Sequence, residues 1–306
     1  MKILQKIKQF VNINKNPIIN IIGTTASGKT ALSVKIAHEI NGEIINADSR
    51  QVFKGLDIAT YKIKPQETKG IPHYLFSFIE PDQLFTLAEW QDLATNKAFE
   101  ILKSKKIPIL CGGTALYVNA ITKGFDISRV EPQDNFRKKM EQLNNQEVHD
   151  LLKQKDPLSA QKYHPNNKKA VIRALEVTEF SKSKKSDENK TKSPFSSMII
   201  GIQVDRKKLY ERIDQRVYEM LKEGLIEEVQ EMLKKGYKKD HPLMISHGVP
   251  ECIDYLEKKI KKDQFIEKMQ KNTRNFAKRQ LTWWRRDPRV IWVNPETMEI
   301  VDSGEI

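Results

Sequence analysis

A glycine-rich segment near the N-terminus has the residue types and spacing that bind phosphate. It is GTTASGKT, residues 23–30, between the apolar run PIINII and a helical pattern over Ala31–Ile40. The glycines let backbone N–H groups curl around phosphate oxygens, and the N-terminus of the following helix adds its positive dipole end. Lys29 adds a charge, and the Thr30 hydroxyl can bind Mg²⁺. The segment predicts a P-loop; the alternative is a glycine-rich turn with an exposed lysine.

The carboxylate expected beside such a loop is not where a P-loop ATPase has it. The apolar run Ile107–Leu110 is followed by Cys111–Thr114, which contains no acid, whereas Asp48 directly follows the run Glu43–Ala47. Ligands of doubly wound sheets bind beyond the carboxyl ends of the strands. We therefore expect Asp48 to face the same cleft as the P-loop. Its role stays open between metal ligand, base and helix N-cap.

The elements that must position these residues form an α/β pattern. Short apolar runs rich in Ile and Val alternate with helical patterns, which predicts a buried parallel sheet with helices on both faces, as in P-loop NTPases. Strand signals disappear between Gly124 and Phe195, which predicts a helical insertion. The predicted organisation is a first core part at 1–123, the insertion at 124–197 and a second core part at 198–306. The predicted strands are Pro17–Ile22, Glu43–Ala47, Ile107–Cys111, Met198–Val204 and Val290–Val293.

Helical periodicity also marks the second half of the chain. Apolar residues recur at helical spacing from Lys208 to Lys235, and Gly236 supplies a stop. A last strong helix is predicted at Lys262–Trp284. The polar, charged run Ser181–Ser193 has no apolar periodicity and predicts a mobile loop.

The charge of the chain points to a polyanionic partner. Its 306 residues contain 53 Lys and Arg against 40 Asp and Glu, a formal charge of +13. Between Lys258 and Arg289 there are 12 basic against 3 acidic residues. A nucleic acid could bind such a segment; the alternative is basicity without a function.

Other compositional features narrow the class of protein. Two cysteines, Cys111 and Cys252, exclude a disulfide framework and a cysteine-rich zinc site, and they favour a reducing compartment. The N-terminus has neither a secretory signal pattern nor the composition of a transit peptide. No run reaches the roughly 18 apolar residues of a membrane span. We expect a cytoplasmic protein.

Five segments in order resemble one enzyme family. GTTASGKT, NADSRQVFKGLDIAT, LCGGTALYVNA, YHPNNKKAVIRALEV and AKRQLTWWR are similar to motifs of the tRNA dimethylallyltransferases, also called tRNA isopentenyltransferases. The resemblance extends from about Ile18 to Trp292. It implies a P-loop-type core with a helical insertion.

The resemblance also implies a reaction. Such enzymes transfer a dimethylallyl group from dimethylallyl diphosphate to N6 of adenine 37 in tRNAs that read codons beginning with U. A diphosphate donor in the P-loop would explain why no second-strand Asp is needed. Asp48 would be the general base, Thr114 would lie in the substrate channel, and a monomer is expected. Lys29 would also be catalytic, and Thr30 would be the Mg²⁺ ligand. The implied diphosphate site consists of Gly23, Thr25, Ala26, Ser27, Gly28, Lys29 and Thr30.

Further positions correspond to tRNA contacts of the family. Arg137 and Arg173 in the insertion match such positions, with solvated helix charges as the alternative for Arg137. Ala170 replaces a common arginine, so that tRNA contact is either missing or supplied by Lys168 or Lys169. One of the two tryptophans of the last motif is expected in the core. The complete expected set is Asp48, Ser49, Arg50, Gln51, Arg137, Lys169, Arg173, Lys278, Arg279, Gln280, Thr282, Trp283 and Arg285.

Two other functional classes are compatible with part of the pattern. A small-molecule or nucleotide kinase would place ATP in the same P-loop and use Asp48 to activate a hydroxyl group. A non-enzymatic RNA-binding protein would explain the charge but give Asp48 no task. A kinase would not need the basic C-terminal helix or the other four motifs.

Overall fold

The computed structural model describes residues 2–181 and 192–301. These residues form two compact units, of which the first comprises residues 2–86, 90–122 and 194–301 and the second residues 87–89 and 123–193 without the undescribed segment. Most of the loop predicted at Ser181–Ser193 lies outside the described residues.

The first unit is built on a six-stranded, all-parallel sheet. The strand order is β3-β2-β4-β1-β5-β6, with β1 in register with both β4 and β5. Every residue of β1 and β2 is buried, so both faces of the sheet are covered. The strands are β1 Pro17–Ile22, β2 Gly42–Asn46, β3 His73–Tyr74, β4 Ile107–Cys111, β5 Ser196–Ile202 and β6 Val290–Val293.

Helices follow most of the strands, as the predicted α/β class requires. A short 3₁₀ helix, Pro65–Thr68, lies between β2 and β3. The α-helices are α1 Ile3–Ile13, α2 Lys29–Ile40, α3 Leu87–Lys103, α4 Ala115–Lys123, α5 Asp134–Gln142, α6 Asn145–Lys155, α7 Pro157–Lys162, α8 Lys168–Phe180, α9 Arg206–Lys222, α10 Leu225–Lys234, α11 Val249–Leu256 and α12 Lys262–Trp284.

Two large hydrophobic clusters of the described residues stabilise the first unit. One joins the sheet to α1 and α2 through residues such as Ile7, Ile19 and Ile36. The other joins α9, α10, α11 and α12 to the loop after β2, and Leu56 of that loop is fully buried in it. The second cluster therefore fixes the loop that follows Asp48 against the C-terminal helices.

The second unit is helical, as predicted for the insertion. Helices α5, α6, α7 and α8 share a cluster that includes Met140, Leu152 and Leu175. Asn144 and Glu147 form a capping box at the start of α6. The Asp156 side chain accepts a hydrogen bond from the Ser159 N–H and so caps α7.

The fold differs from the sequence-based expectation in three places. The periodic segment Lys208–Lys235 is two helices rather than one, because Gly224 adopts φ +102° between α9 and α10. Strand β3 was not predicted. β5 begins at Ser196 and pairs with β1, so the second core part begins before the predicted residue 198.

Candidate active site

A cavity of about 760 Å³ opens in the first unit at the carboxyl ends of the strands. The P-loop, Asp48 and Cys111 line one part of it, and residues of α9 and α12 line another. The expectation that Asp48 faces the same cleft as Lys29 is confirmed by this arrangement.

The P-loop has the geometry that phosphate binding requires. Ala26 and Gly28 adopt the left-handed φ values +61° and +92°, which curl the backbone around the loop interior. Lys29 begins α2, and its Nζ donates to the Thr24 carbonyl at 2.7 Å. Within the described residues, the buried Ser27 hydroxyl has no hydrogen-bond partner. The loop therefore offers backbone and side-chain donors to an anion.

The electrostatic environment of Lys29 also suits an anion. Burial lowers the pKa of Lys29, the nearby Asp48 raises it, and the Arg216 charge lowers it again. A buried ammonium group next to a second cation is stabilised when an anion binds between them. The cations at the P-loop end of the cavity therefore favour binding of an anion such as a phosphate group.

Gln280 of α12 bridges the P-loop and the turn after β4. Its side-chain oxygen accepts from the Thr25 N–H at 2.8 Å, and its Nε2 donates to the Gly113 carbonyl at 3.2 Å. The side chain is buried. Both ends of the Gln280 carboxamide are therefore bound within the protein, and the tRNA contact expected of this residue stays a prediction.

Two glycines let the strand ends approach one another. A Cβ at Gly112 would lie 2.1 Å from the Ala47 carbonyl oxygen, directly before Asp48. A Cβ at Gly113 would lie 2.3 Å from Gln280 Nε2. The GG pair is therefore required by close backbone and side-chain approach, and it brings β4, Asp48 and α12 together.

Asp48 is held in a tight turn at the end of β2. Its Oδ1 accepts from the Arg50 N–H at 2.9 Å, and its own N–H donates to Asn46 Oδ1 at 2.9 Å. This is an Asx turn rather than a helix cap, since no helix follows. One carboxylate oxygen is occupied by the backbone, and the side chain lines the cavity. Asp48 is therefore oriented for contact with a ligand.

Thr114 and its neighbours support this turn from behind. The Thr114 hydroxyl accepts from the Ser49 N–H at 3.1 Å, and its carbonyl accepts from Tyr117 at the start of α4. The Tyr117 ring stacks on Trp90 with centroids 4.0 Å apart. Thr114 thus directly precedes α4, and it also positions the segment that carries Asp48.

The two residues after Ser49 are engaged within the protein. The Arg50 guanidinium donates to the Pro242 carbonyl, and burial lowers its pKa. Gln51 Nε2 donates to the carbonyls of Thr60 and Tyr61 at 2.9 and 3.1 Å. The Gln51 amide group therefore holds the loop after β2, and the tRNA contact expected of this residue stays a prediction.

Sequence reasoning missed a further cation of the cavity, Arg216. Arg216 of α9 lines it together with Lys29, and its guanidinium carbon lies 3.6 Å from the centroid of the Tyr61 ring. Burial lowers the pKa of Arg216, whereas Tyr61 and Glu219 raise it. The sequence does contain an indication that Arg216 lies close to the protein interior. It is three residues after Ile213 and directly before Val217, and both of these apolar residues are buried.

The C-terminal basic motif is divided between core and surface. Trp284 is fully buried, and Trp283 is about half exposed, at 54%. The expectation that one of the two belongs to the core is confirmed by Trp284. The exposed members of the predicted tRNA-contact set on or directly after α12 are Lys278, Arg279, Thr282, Trp283 and Arg285.

The arginines predicted in the insertion surround a buried glutamate. Arg137 binds both carboxylate oxygens of Glu176 at 2.8 and 2.7 Å, and Arg173 donates to the same carboxylate at 2.6 Å. The Glu176 side chain is fully buried. The solvated-charge alternative for Arg137 is therefore wrong, and both arginines have a structural role in the second unit. Lys169 is exposed.

The residues present are compatible with a phosphate-bound magnesium ion. The described residues contain no group of three or more His, Cys, Asp and Glu side chains that could hold a metal. Mg²⁺ at phosphate sites commonly takes only one or two protein oxygens, with phosphates and water completing its shell. Thr30 and Asp48 line one cavity and supply oxygens of this kind.

No helix in the described part of the chain combines the length and apolarity needed to span a bilayer.

Comparisons with known proteins identify the family. The IPP transferase family model matches residues 51–287. The chain is 44% identical over 285 residues, 90% of each chain, to the tRNA dimethylallyltransferase of Thermoanaerobacter sp. (strain X514). A crystal structure of the full-length tRNA isopentenylpyrophosphate transferase from Bacillus halodurans is similar, with a TM-score of 0.69, 38% identity and coverage of 92% of this chain and 90% of that one.

A structure of a eukaryotic dimethylallyltransferase acting on tRNA is also similar. Its TM-score is 0.80 at 27% identity, and the match covers 92% of this chain and 74% of that one. The family match, the identities and the shared fold agree with the geometry of the cavity. The chain belongs to the IPP transferase family.

Proposed function

We propose that this chain is a tRNA dimethylallyltransferase. It transfers a dimethylallyl group from dimethylallyl diphosphate to N6 of adenine 37 in tRNAs that read codons beginning with U, and it releases diphosphate. The observation that carries the proposal is the convergence of the P-loop, with Lys29, and the oriented Asp48 in one cavity of an IPP transferase family member.

The P-loop end of the cavity is assigned to the diphosphate of the donor. Lys29, Arg216 and the backbone N–H groups of the loop stabilise the negative charge that develops as the allylic C–O bond breaks. Mg²⁺ held by Thr30 and the phosphates would add further neutralisation of that charge. Cys111 at the end of β4 supports this use, because a diphosphate leaving group does not require the carboxylate that ATP hydrolysis uses at that position.

The opposite reacting group is the exocyclic amine of an adenine taken out of its stack. Its nitrogen lone pair forms the new N–C bond, the electrons of the C–O bond leave with the diphosphate, and the N6 proton passes to Asp48. The Arg50 N–H occupies Asp48 Oδ1, which leaves the other oxygen for the amine. This arrangement supports general-base catalysis by Asp48.

The exposed side chains on or directly after α12 are assigned to the tRNA. Lys278, Arg279 and Arg285 supply charges for phosphates, and the half-exposed Trp283 offers a ring for stacking. The two free, buried cysteines agree with a reducing compartment. We expect a monomer acting in the cytoplasm.

A transfer assay tests the proposal. Purified protein, Mg²⁺, labelled dimethylallyl diphosphate and tRNA should give labelled tRNA without ATP. Asp48→Asn keeps an oxygen for the Arg50 N–H but cannot accept a proton, so turnover should fall by about 10²–10⁴ with tRNA binding retained. Tight ATP binding without affinity for the allylic diphosphate would favour a kinase, and RNA binding without product would favour a binding protein.

A further inference from the structure

The loop after β2 carries a tyrosine in a strained backbone conformation directly over a cation of the cavity. Tyr61 has φ +51°, a left-handed value that non-glycine residues rarely adopt. Its ring centroid lies 3.6 Å from the guanidinium carbon of Arg216. Backbone strain of this kind persists only where surrounding contacts hold it, and it concentrates at functional sites.

Contacts on both sides of Tyr61 hold this conformation. Glu228 of α10 accepts from the N–H groups of Ile58 and Ala59 at 2.8 and 2.9 Å. Gln51 Nε2 donates to the Tyr61 carbonyl at 3.1 Å, and the Tyr61 N–H donates to the Ile58 carbonyl at 3.0 Å. These contacts therefore hold the loop backbone that carries the ring.

The buried ammonium group of Lys62 also holds this loop in place. Lys62 Nζ donates to the Gly55 carbonyl at 3.0 Å and to the Ser77 hydroxyl at 2.7 Å, and it forms an ion pair with Asp57. Lys62 is 9% exposed. The loop thus has anchors before and after Tyr61, and they fix the main chain that carries the ring.

The aromatic face of Tyr61 stabilises the Arg216 guanidinium in its position. Its long side chain has several rotatable bonds, and its guanidinium lies in the cavity that contains Lys29. An aromatic face stabilises a guanidinium most when water is excluded, and burial does lower the pKa of Arg216. Stacking restricts the guanidinium before any ligand binds, so less conformational freedom is lost when the anion arrives.

We propose that Tyr61 is a positioning residue that holds the Arg216 guanidinium against the P-loop, so that Arg216 and Lys29 together bind the diphosphate of the donor. This inference deepens the proposed function and rests on it for the identity of the donor. The ring acts through Arg216 and itself takes no part in bond making.

The first test measures binding of inorganic diphosphate with Mg²⁺ by calorimetry. Tyr61→Ala should weaken binding about tenfold, whereas Tyr61→Phe, which keeps the stacking face, should stay within about threefold of the unchanged protein. Tyr210→Ala is the matched control, because Tyr210 also lies beneath arginines, with Arg206 5.3 Å and Arg274 5.8 Å from its ring, but does not line the main cavity. It should bind diphosphate normally. Unchanged binding by Tyr61→Ala would overturn the inference.

A double-mutant cycle separates positioning from a general structural effect. In an Arg216→Ala background, Tyr61→Ala should cause no further loss of diphosphate affinity, since the ring would have nothing to position. Additive losses would contradict the inference, as would a loss of equal size in tRNA affinity. Protein that binds diphosphate in this Tyr61-dependent way but transfers no dimethylallyl group would refute the proposed function and leave the positioning role standing.

Discussion

Gln280 accepts a hydrogen bond from the Thr25 N–H at 2.8 Å and thereby ties the last long helix to the phosphate-binding loop. The same carboxamide donates to Gly113 in the turn after β4. One buried side chain therefore connects the helix assigned to tRNA contact, the loop assigned to the diphosphate and the turn next to Asp48. The helix cannot shift without affecting the geometry of the P-loop.

The first prediction concerns this bridge. Gln280→Ala should lower kcat/KM for the donor by about 10-fold to 100-fold, because a misplaced P-loop loses contacts to the leaving group. Gln280→Glu should be worse, since it keeps an acceptor for Thr25 but adds a negative charge close to the diphosphate. Steady-state kinetics with each substrate varied in turn checks this. If Gln280→Ala and Gln280→Glu had the same kcat/KM for the donor as each other, that result would count against the bridge.

The second prediction is a pH dependence set by Lys29. Burial holds the pKa of Lys29 below its ordinary value of 10.5, so the free enzyme should lose this cation earlier than an exposed lysine would. As pH rises through that pKa, kcat/KM for the donor should fall, and kcat should fall only at higher pH because the bound diphosphate restores the charge. Lys29→Arg should remove the alkaline decline. The same decline in that variant would assign it to another group.

The third prediction concerns the stability of the second unit. Burial raises the pKa of Glu176, but hydrogen bonds from Arg137, Gln133 and Arg173 outweigh it, so the pKa is lowered below 4.5. A carboxylate whose pKa is lower in the folded than in the unfolded protein stabilises the folded state at every pH above its unfolded-state pKa. This stabilisation is lost as the pH falls through the folded-state pKa.

Glu176→Ala should therefore reduce the free energy of unfolding at neutral pH by about 3 kcal/mol, because two arginines lose a buried partner that water only partly replaces. The loss should shrink in acid. Glu179→Gln on the same helix breaks only the exposed pair with Lys155 and should cost at most about 1 kcal/mol. Urea titrations at pH 7 and in acid would test both. Equal costs for the two variants would contradict a buried cluster.

The fourth prediction connects charge to tRNA affinity. The segment Lys258–Arg289 holds 12 basic and 3 acidic residues. Affinity for tRNA should fall steeply with added salt. In a plot of the logarithm of the binding constant against the logarithm of the salt concentration, Lys278→Ala should reduce the magnitude of the slope by about 1. Lys8→Ala on α1, whose charge is paired with Glu39, is the control and should leave the slope unchanged. Salt-independent binding would separate the charge from the function.

What the sequence could predict was mostly local. The P-loop and its flanking strand and helix are contiguous in the chain, so spacing alone located them, and Asp48 followed from the rule for parallel strand ends. Strand β3 has two residues, too few for any periodicity to be visible. The bridging role of Gln280 was not visible in the sequence, because its partner Thr25 is 255 positions away.

Arg137 and Arg216 illustrate the same limit from opposite sides. The motif match predicted a tRNA contact for Arg137, but it did not show the pairing of Arg137 with Glu176, 39 positions later. Arg216 belonged to no motif, and the packing of α9 against the loop after β2 shows that it is a cation of the cavity. Pairings between distant segments therefore decide the details of the site.

The most direct measurement of the central claim is the identity of the labelled nucleoside. Protein is incubated with labelled dimethylallyl diphosphate, Mg²⁺ and a tRNA that reads a codon beginning with U, and the tRNA is then digested to nucleosides. We expect all label in N6-dimethylallyladenosine, none with guanine in place of adenine 37, and little with Asp48→Asn. Label in another nucleoside, or no label in any tRNA, would contradict the account.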